Sequence, residues 1–281
     1  MKQLKSRSQD LRSLFENSIT IEYVAEPLKA VNANLSIQEI FAWMQEQDFD
    51  VVGIETEGIV TGYLEKNNLT HQSSGKCKNH EKAFLPQDLI AISTPLIKLL
   101  PLLQNKTRLF ILDCNSVTGI VTQGDLQKSP VRMLLFSLVT LLEMNLLRII
   151  RLYYFPDSLS NILTEERLKT AHKLLQESRD RNEATDLLDY LQFCDKRDLI
   201  LHHPDLIKKL DLKSKSSGER FLKNAEKLRN KLAHAQDLVG GSSWFELISL
   251  AEGLEKLLIL CEQIERDVQL RTTESGLQTI I

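Results

Sequence analysis

Two stretches of the chain, Leu35 to Leu69 and Ser93 to Leu126, follow the same plan about 57 residues apart, and this repeat limits the possible folds more than any other feature. Each opens on a helix start. Ser36 with Glu39 three residues on has the capping-box pattern, and Thr94 precedes Pro95, a proline suited to the first helical position. A helix of about three turns is expected after each start. Next come a β-branched or aromatic run (Val51, Val52, Ile54; Leu109 to Leu112), polar turn residues (Glu55 to Gly58; Asp113 to Ser116) and a second apolar run (Ile59, Val60; Val117, Ile120, Val121). A further short helix begins at Asn67 and at Asp125. The pattern predicts one α-β-β-α unit per repeat, with the open sheet faces of the two units buried against each other.

The second repeat ends on Gly119-Ile120-Val121-Thr122-Gln123-Gly124-Asp125. With the helix, strand, turn and strand before it, this run resembles the second half of a cystathionine-β-synthase (CBS) domain, and the resemblance covers roughly residues 20 to 128. It implies an adenine nucleotide (AMP, ADP, ATP or a relative) as regulatory ligand at Gly119, Thr122 and Asp125, with Thr122 and Asp125 holding the ribose. The chemistry is sensible, because a carboxylate at a helix start can accept from ribose hydroxyls and the positive helix end suits a phosphate. Taken alone, Thr122 is also an ordinary strand end and Asp125 an ordinary helix cap. The first repeat has Glu65 and Asn68 where the motif has a hydroxyl residue and Asp, so one competent site, in the second repeat, is expected.

From Ser129-Pro130 onward apolar residues recur at helical spacing to about Tyr154. Thr164 caps a second helix, a third covers Ala184 to Phe193, and Ser216 with Glu219 caps one whose seam is Phe221, Ala225, Leu228 and Leu232. Ser243 with Glu246 caps the last, Trp244 to about Arg266. The expected fold class is an α+β N-terminal CBS pair of two α-β-β-α units followed by an all-α helical bundle. Residues 1–19 are read as an extension, 20–128 as the pair (about 20–70 and 86–128), 129–268 as the bundle and 269–281 as a disordered tail.

Within the bundle, helical spacing places Glu226, Asn230 and His234 in one polar stripe with Arg229 on its flank. Arg229-Asn230 followed by His234 resembles the Arg-x4-His motif of HEPN domains, a likeness extending over roughly residues 130 to 268. It implies a metal-independent endoribonuclease acting as a homodimer, with Arg229, Asn230 and His234 catalytic: His234 as base, Arg229 on the phosphate and Asn230 as orienting group. An imidazole titrates near neutrality and a guanidinium binds phosphate in a fork, which suits both roles. Five residues of ideal helix turn through about 140°, so Arg229 and His234 converge only if the helix ends between them or two copies meet. The stretch Lys196 to Lys231 holds 11 basic residues against 5 acidic, which favours RNA phosphate. A solvated helix face, or a non-catalytic interaction module, fits the same residues.

A net charge of -3 from 35 basic and 38 acidic residues gives no general bias toward nucleic acid or membrane, so RNA affinity rests on the local patch, and neither DNA nor membrane is expected as a partner. The four cysteines lie far apart and suggest reduced thiols in the cytoplasm. The apolar run Val131 to Leu147 is bounded or interrupted by Arg132, Glu143, Asn145 and Arg148 and reads as a buried core helix. His71, Cys77 and His80 lack a convincing fourth ligand, so no metal is expected. The combined reading is an adenine-nucleotide sensor regulating a HEPN-type endoribonuclease. The alternative is a nucleotide-responsive module without catalysis.

Overall fold

The computed structural model describes residues 7–182 and 185–278. It divides into two units, Leu14–Val131 and a second formed by the residues through Ser13 together with Arg132 onward. Helix α1 (Ser8–Asn17) opens the chain. The first repeat supplies β1 (Glu26–Pro27), β2 (Ala30–Asn32), α2 (Ile37–Glu46), β3 (Val51–Thr56) and β4 (Ile59–Glu65). The second supplies β5 (Lys82–Ala83), β6 (Leu89–Ala91), the single-turn α3 (Leu99–Leu102), β7 (Arg108–Asp113) and β8 (Ser116–Thr122).

These strands make two four-stranded sheets, in the orders β2-β3-β4-β5 and β6-β7-β8-β1. The hairpins are registered alike: Val51 opposes Glu65 and the register shifts after Ile54, while Arg108 opposes Thr122 and the register shifts after Ile111, each 57 residues later. Each repeat therefore contributes four strands rather than two, and its first strand pairs in the other repeat's sheet. The sequence reading missed β1, β2, β5 and β6 because two or three residues cannot show an alternating pattern, and Pro27 fits only an edge. Gly62 and Gly119 make the exchange possible. A Cβ on Gly119 would stand 2.9 Å from the Glu26 carbonyl oxygen, and one on Gly62 2.5 Å from that of Lys82.

In the first repeat, α2 buries Ile37, Ile40, Phe41 and Met44 in one cluster with Val52, Ile54 and Leu64. The expected Ser36–Glu39 capping box does not form; the Ile37 N–H donates instead to the Gly75 carbonyl at 3.0 Å. The expected three-turn helix of the second repeat is a 3-10 turn, Leu96–Lys98, leading into α3. Pro101 explains the shortening, since a proline is tolerated only near a helix start. The short helices expected after each hairpin are 3-10 turns, Lys66–Asn68 and Gln123–Gln127. A second cluster, Tyr63, Phe110 and Val117 with Phe84 and Ile120 against them, draws on both sheets.

The other unit is all-helical: α4 (Ser129–Tyr153), α5 (Glu165–Asp180), α6 (Phe193–His202), α7 (Pro204–Lys209), α8 (Lys215–Ala233) and α9 (Trp244–Gln278). Helix α4 is long and apolar enough to cross a membrane, and its Leu135, Leu138, Leu142, Leu146 and Ile149 are buried. Thr164 caps α5 by accepting from the Arg167 N–H, and Ser243 with Glu246 forms the expected box at the start of α9. Three expectations need correction. Ser214, not Ser216, caps α8, accepting from the Ser217 N–H at 3.1 Å. In place of a helix from Ala184, which lies outside the described residues, a box between Asp186 and Asp189 holds a 3-10 turn, Leu187–Tyr190. Helix α9 continues to Gln278 where a disordered tail was expected from 269; residues 279–281 lie outside the described part. The seam of α8 is also rotated, with Leu222, Ala225 and Leu228 buried and Phe221 and Leu232 only half-buried.

Candidate functional site

Thr122 is the last residue of β8 and the cap of the 3-10 turn that carries Asp125. Asp125 Oδ2 accepts from the Thr122 N–H at 2.7 Å and from its hydroxyl at 2.8 Å. Its Oδ1 faces Lys128 Nζ at 2.8 Å, and the carboxylate is almost wholly buried. Lys128 also donates to the Val24 carbonyl and pairs with Glu26. Burial alone would lower the Lys128 pKa, but the carboxylates of Asp125 and Glu26 outweigh it and hold the ammonium above its ordinary value. Gly119 lies on the same strand, opposite Pro27, where it admits β1. The structure thus brings Thr122 and Asp125 together as a tight pair, with Gly119 three residues before.

The related corner of the first repeat is closed by one side chain of its own and two from the second repeat. Glu65 occupies the place of Thr122, and its Oε2 accepts from Asn68, at the place of Asp125, at 2.8 Å and from Lys82 at 2.7 Å. Its Oε1 accepts from Arg108 Nη2 at 2.8 Å, while that guanidinium lies over the rings of Tyr63 and Phe110 at 5.5 and 6.0 Å. The hydrogen bond from Lys82, then that from Arg108, outweigh burial and lower the Glu65 pKa from 4.5 to about 2. A depressed carboxylate stabilises the fold above its unfolded pKa and loses that contribution as pH falls through the folded value. Between pH 4.5 and about 2 the α/β unit should therefore lose up to about 3 kcal/mol through this group. Acid titration of stability in Glu65→Gln, with Trp43 as reporter, should show a shallower fall over that window; a fall as steep as in the natural chain would refute the linkage.

On the helical unit, α8 runs unbroken to Ala233, so no bend brings Arg229 and His234 together within one chain. His234 is the exposed C-cap. Arg229 Nη1 donates to Asn230 Oδ1 at 3.1 Å, and its Nε lies 3.7 Å from Glu143. Glu226, placed by the sequence in the stripe of Asn230 and His234, pairs with Arg197 at 3.0 Å. Lys196, counted in the basic stretch, is buried and donates to Glu143 at 2.8 Å. Part of the basic excess is therefore spent inside the fold. The charged hub of Glu143, Lys196 and Arg229 joins three helices that no sequence spacing could link; an acidic residue in the apolar α4 was its one visible signal.

Around the possible metal trio, the Cys77 thiol is buried, which raises its pKa. His71 packs edge-on against Phe41 at 5.2 Å, and His80 Nε2 lies 2.9 Å from the Ser74 carbonyl. Among the described residues no three His, Cys, Asp or Glu side chains come together as a metal cluster.

No family model matches this sequence, and no curated protein matches it. Solved structures do. One is an uncharacterized conserved protein from Pyrococcus horikoshii, 20% identical with a TM-score of 0.34, covering 38% of this chain and 88% of that one. Another is the CBS domain of a bacterial CNNM/CorC family Mg2+ transporter in complex with ATP, 11% identical with a TM-score of 0.34, covering 42% of this chain and 91% of that one. A third is a CBS domain protein of unknown function from Thermoplasma acidophilum, 18% identical with a TM-score of 0.32, covering 38% of this chain and 67% of that one.

Proposed function

We propose that this protein is a cytoplasmic regulator that senses an adenine nucleotide through its second repeat, at Gly119, Thr122 and Asp125. One contrast between the repeats supports the reading most. Glu65 accepts from Asn68 and from two cations, Lys82 and Arg108, whereas Asp125 accepts twice from Thr122 and faces a single cation, Lys128. An ionised carboxylate offers about four acceptor positions and both carboxylates fill three, so the difference is one of charge: Asp125, with one cation where Glu65 has two, is the less neutralised and the better acceptor for a ribose hydroxyl. Lys128 could then exchange Glu26 for a phosphate. Nucleotide at about a hundred times its Kd should stabilise the α/β unit by about 2.7 kcal/mol in urea unfolding. Trp43 fluorescence in a Trp244→Phe chain reads that unit. An unchanged midpoint with AMP, ADP and ATP alike would end the sensing reading.

A second role fits the helical unit: a regulated HEPN-type endoribonuclease that works on RNA as a homodimer without metal. It is favoured by the bonded pair Arg229–Asn230 together with an exposed His234 at a helix end. A partner copy would supply the histidine that one chain cannot bring to its own arginine. The imidazole would take the 2′-OH proton, the oxygen would attack phosphorus, and the 5′-oxygen would leave, with Arg229 neutralising the developing charge. Nucleotide binding would tune this by a coupling of about 1–3 kcal/mol. RNA cut in chelator should carry 2′,3′-cyclic phosphate ends, and His234→Ala should abolish the cut. Undiminished cutting by that variant, or none with any nucleotide, leaves the non-catalytic regulator.

A further inference from the structure

The helical unit carries a groove of about 750 Å3 between α8 and the start of α9, on surface that the Arg229–His234 reading leaves unused. Arg220, Asn224, Lys227 and Lys231 line it at intervals of three or four residues along α8, so they form one stripe. Among the described residues neither Arg220 nor Lys227 pairs with a carboxylate, and both are exposed. Lys231 braces the opposite wall by donating to the Leu238 and Gly240 carbonyls at 3.0 and 3.2 Å. The one acid in the lining, Glu246, accepts from the Ser243 N–H in the cap of α9 and is already engaged. Aromatic surface completes the groove: Phe245 is 51% exposed on α9, and Phe221 is half-buried on α8.

We infer that this groove binds single-stranded RNA. Two unpaired cations, Arg220 and Lys227, on one stripe beside an exposed ring are the components that hold a flexible phosphate backbone and stack its bases. From Arg220 to Lys231 the helix rises about 16 Å, the length of about five stacked nucleotides at ~3.4 Å each. A duplex hides its base faces and cannot use Phe245. An acidic peptide matches the charge but has no use for the ring, so it is the competitor to exclude. Binding here does not rest on cleavage at His234.

The test is fluorescence anisotropy with the full chain and a labelled 12-mer of 2′-O-methyl oligouridylate, which lacks the 2′-OH needed for cleavage. Each single-strand phosphate contact contributes about 0.7 to the slope of log K against log salt. The pair Arg220→Ala and Lys227→Ala should therefore flatten that slope by about 1.4, and Arg220→Lys with Lys227→Arg should restore it. Phe245→Ala should weaken binding roughly tenfold without changing the slope. The inference is overturned if the natural chain does not bind the oligomer at low salt, if the alanine pair keeps the natural slope, or if Phe245→Ala binds as well as the natural chain. It is overturned equally if polyglutamate of matched charge, or a duplex, competes as effectively as the unlabelled oligomer.

Discussion

Replacing Glu143 with leucine should destabilise the helical unit by about 3–5 kcal/mol, because it leaves a buried ammonium without its counter-charge. Lys196 has a side chain only 7% exposed, and Glu143 is its carboxylate at 2.8 Å. Arg229, on the far side of the same carboxylate at 3.7 Å, would lose its pairing too, though its greater exposure makes that loss small. The double variant Glu143→Leu with Lys196→Met should recover most of the stability, since a buried pair replaced by apolar groups of similar size is close to neutral. The chain has two tryptophans, Trp43 in the α/β unit and Trp244 on α9. A Trp43→Phe background therefore lets urea unfolding read the helical unit alone, which matters because two units need not melt as one. A loss below about 1 kcal/mol in the single variant, or a double variant no better than the single, would show that water already reaches Lys196.

Phe110→Ala should cost the α/β unit about 3–5 kcal/mol. The ring is 1% exposed and touches Tyr63 and Phe84, with both ring centroids at 4.7 Å. Arg108 stacks on the same ring and on Tyr63 while holding Glu65, so truncation also loosens that corner. The position 57 residues earlier is Gly53, where a Cβ would stand 3.0 Å from Val60 Cγ1. The two repeats therefore fill their shared interior unequally, with one large ring from the second where the first has no side chain. Phe110→Leu, which keeps an apolar side chain in most of that volume, should cost clearly less than Phe110→Ala. Unfolding read by Trp43 in the Trp244→Phe chain distinguishes the two substitutions; near-equal losses would mean that the ring contacts, rather than the volume filled, carry the contribution of Phe110.

The repeat was legible in the sequence because strand and turn chemistry recurs at a fixed interval, and both hairpins keep that interval in register. The exchanged strands were not. They are two or three residues long, and their partners lie in the other repeat. Helix starts were read correctly at Thr164, a single hydroxyl before Glu165 and Glu166, and at Ser243, where Glu246 three residues on selects it over Ser242. The start of α8 was misplaced because Ser214, Ser216 and Ser217 compete within four positions, and only the Ser214 backbone takes the extended form. At the candidate sites the motif residues were found, but not every partner: Lys128, three residues after Asp125, was overlooked, and Arg108 reaches Glu65 from 43 residues away, whereas Glu143 in an apolar helix did suggest a partner for Arg229. The divergence of Arg229 and His234 did follow from helix geometry alone, and α8 keeps it.

Titration calorimetry of the full chain with ATP addresses nucleotide sensing at the second repeat most directly. One ATP per chain is the expected stoichiometry, with affinity falling roughly ten- to a hundredfold in Asp125→Ala, the loss of a hydrogen bond to a charged group. Asn68→Ala, at the closed corner of the first repeat, should leave the isotherm unchanged. An absence of heat, two ATP per chain, or an Asp125→Ala isotherm superimposable on the natural one would be incompatible with a single site built on that carboxylate.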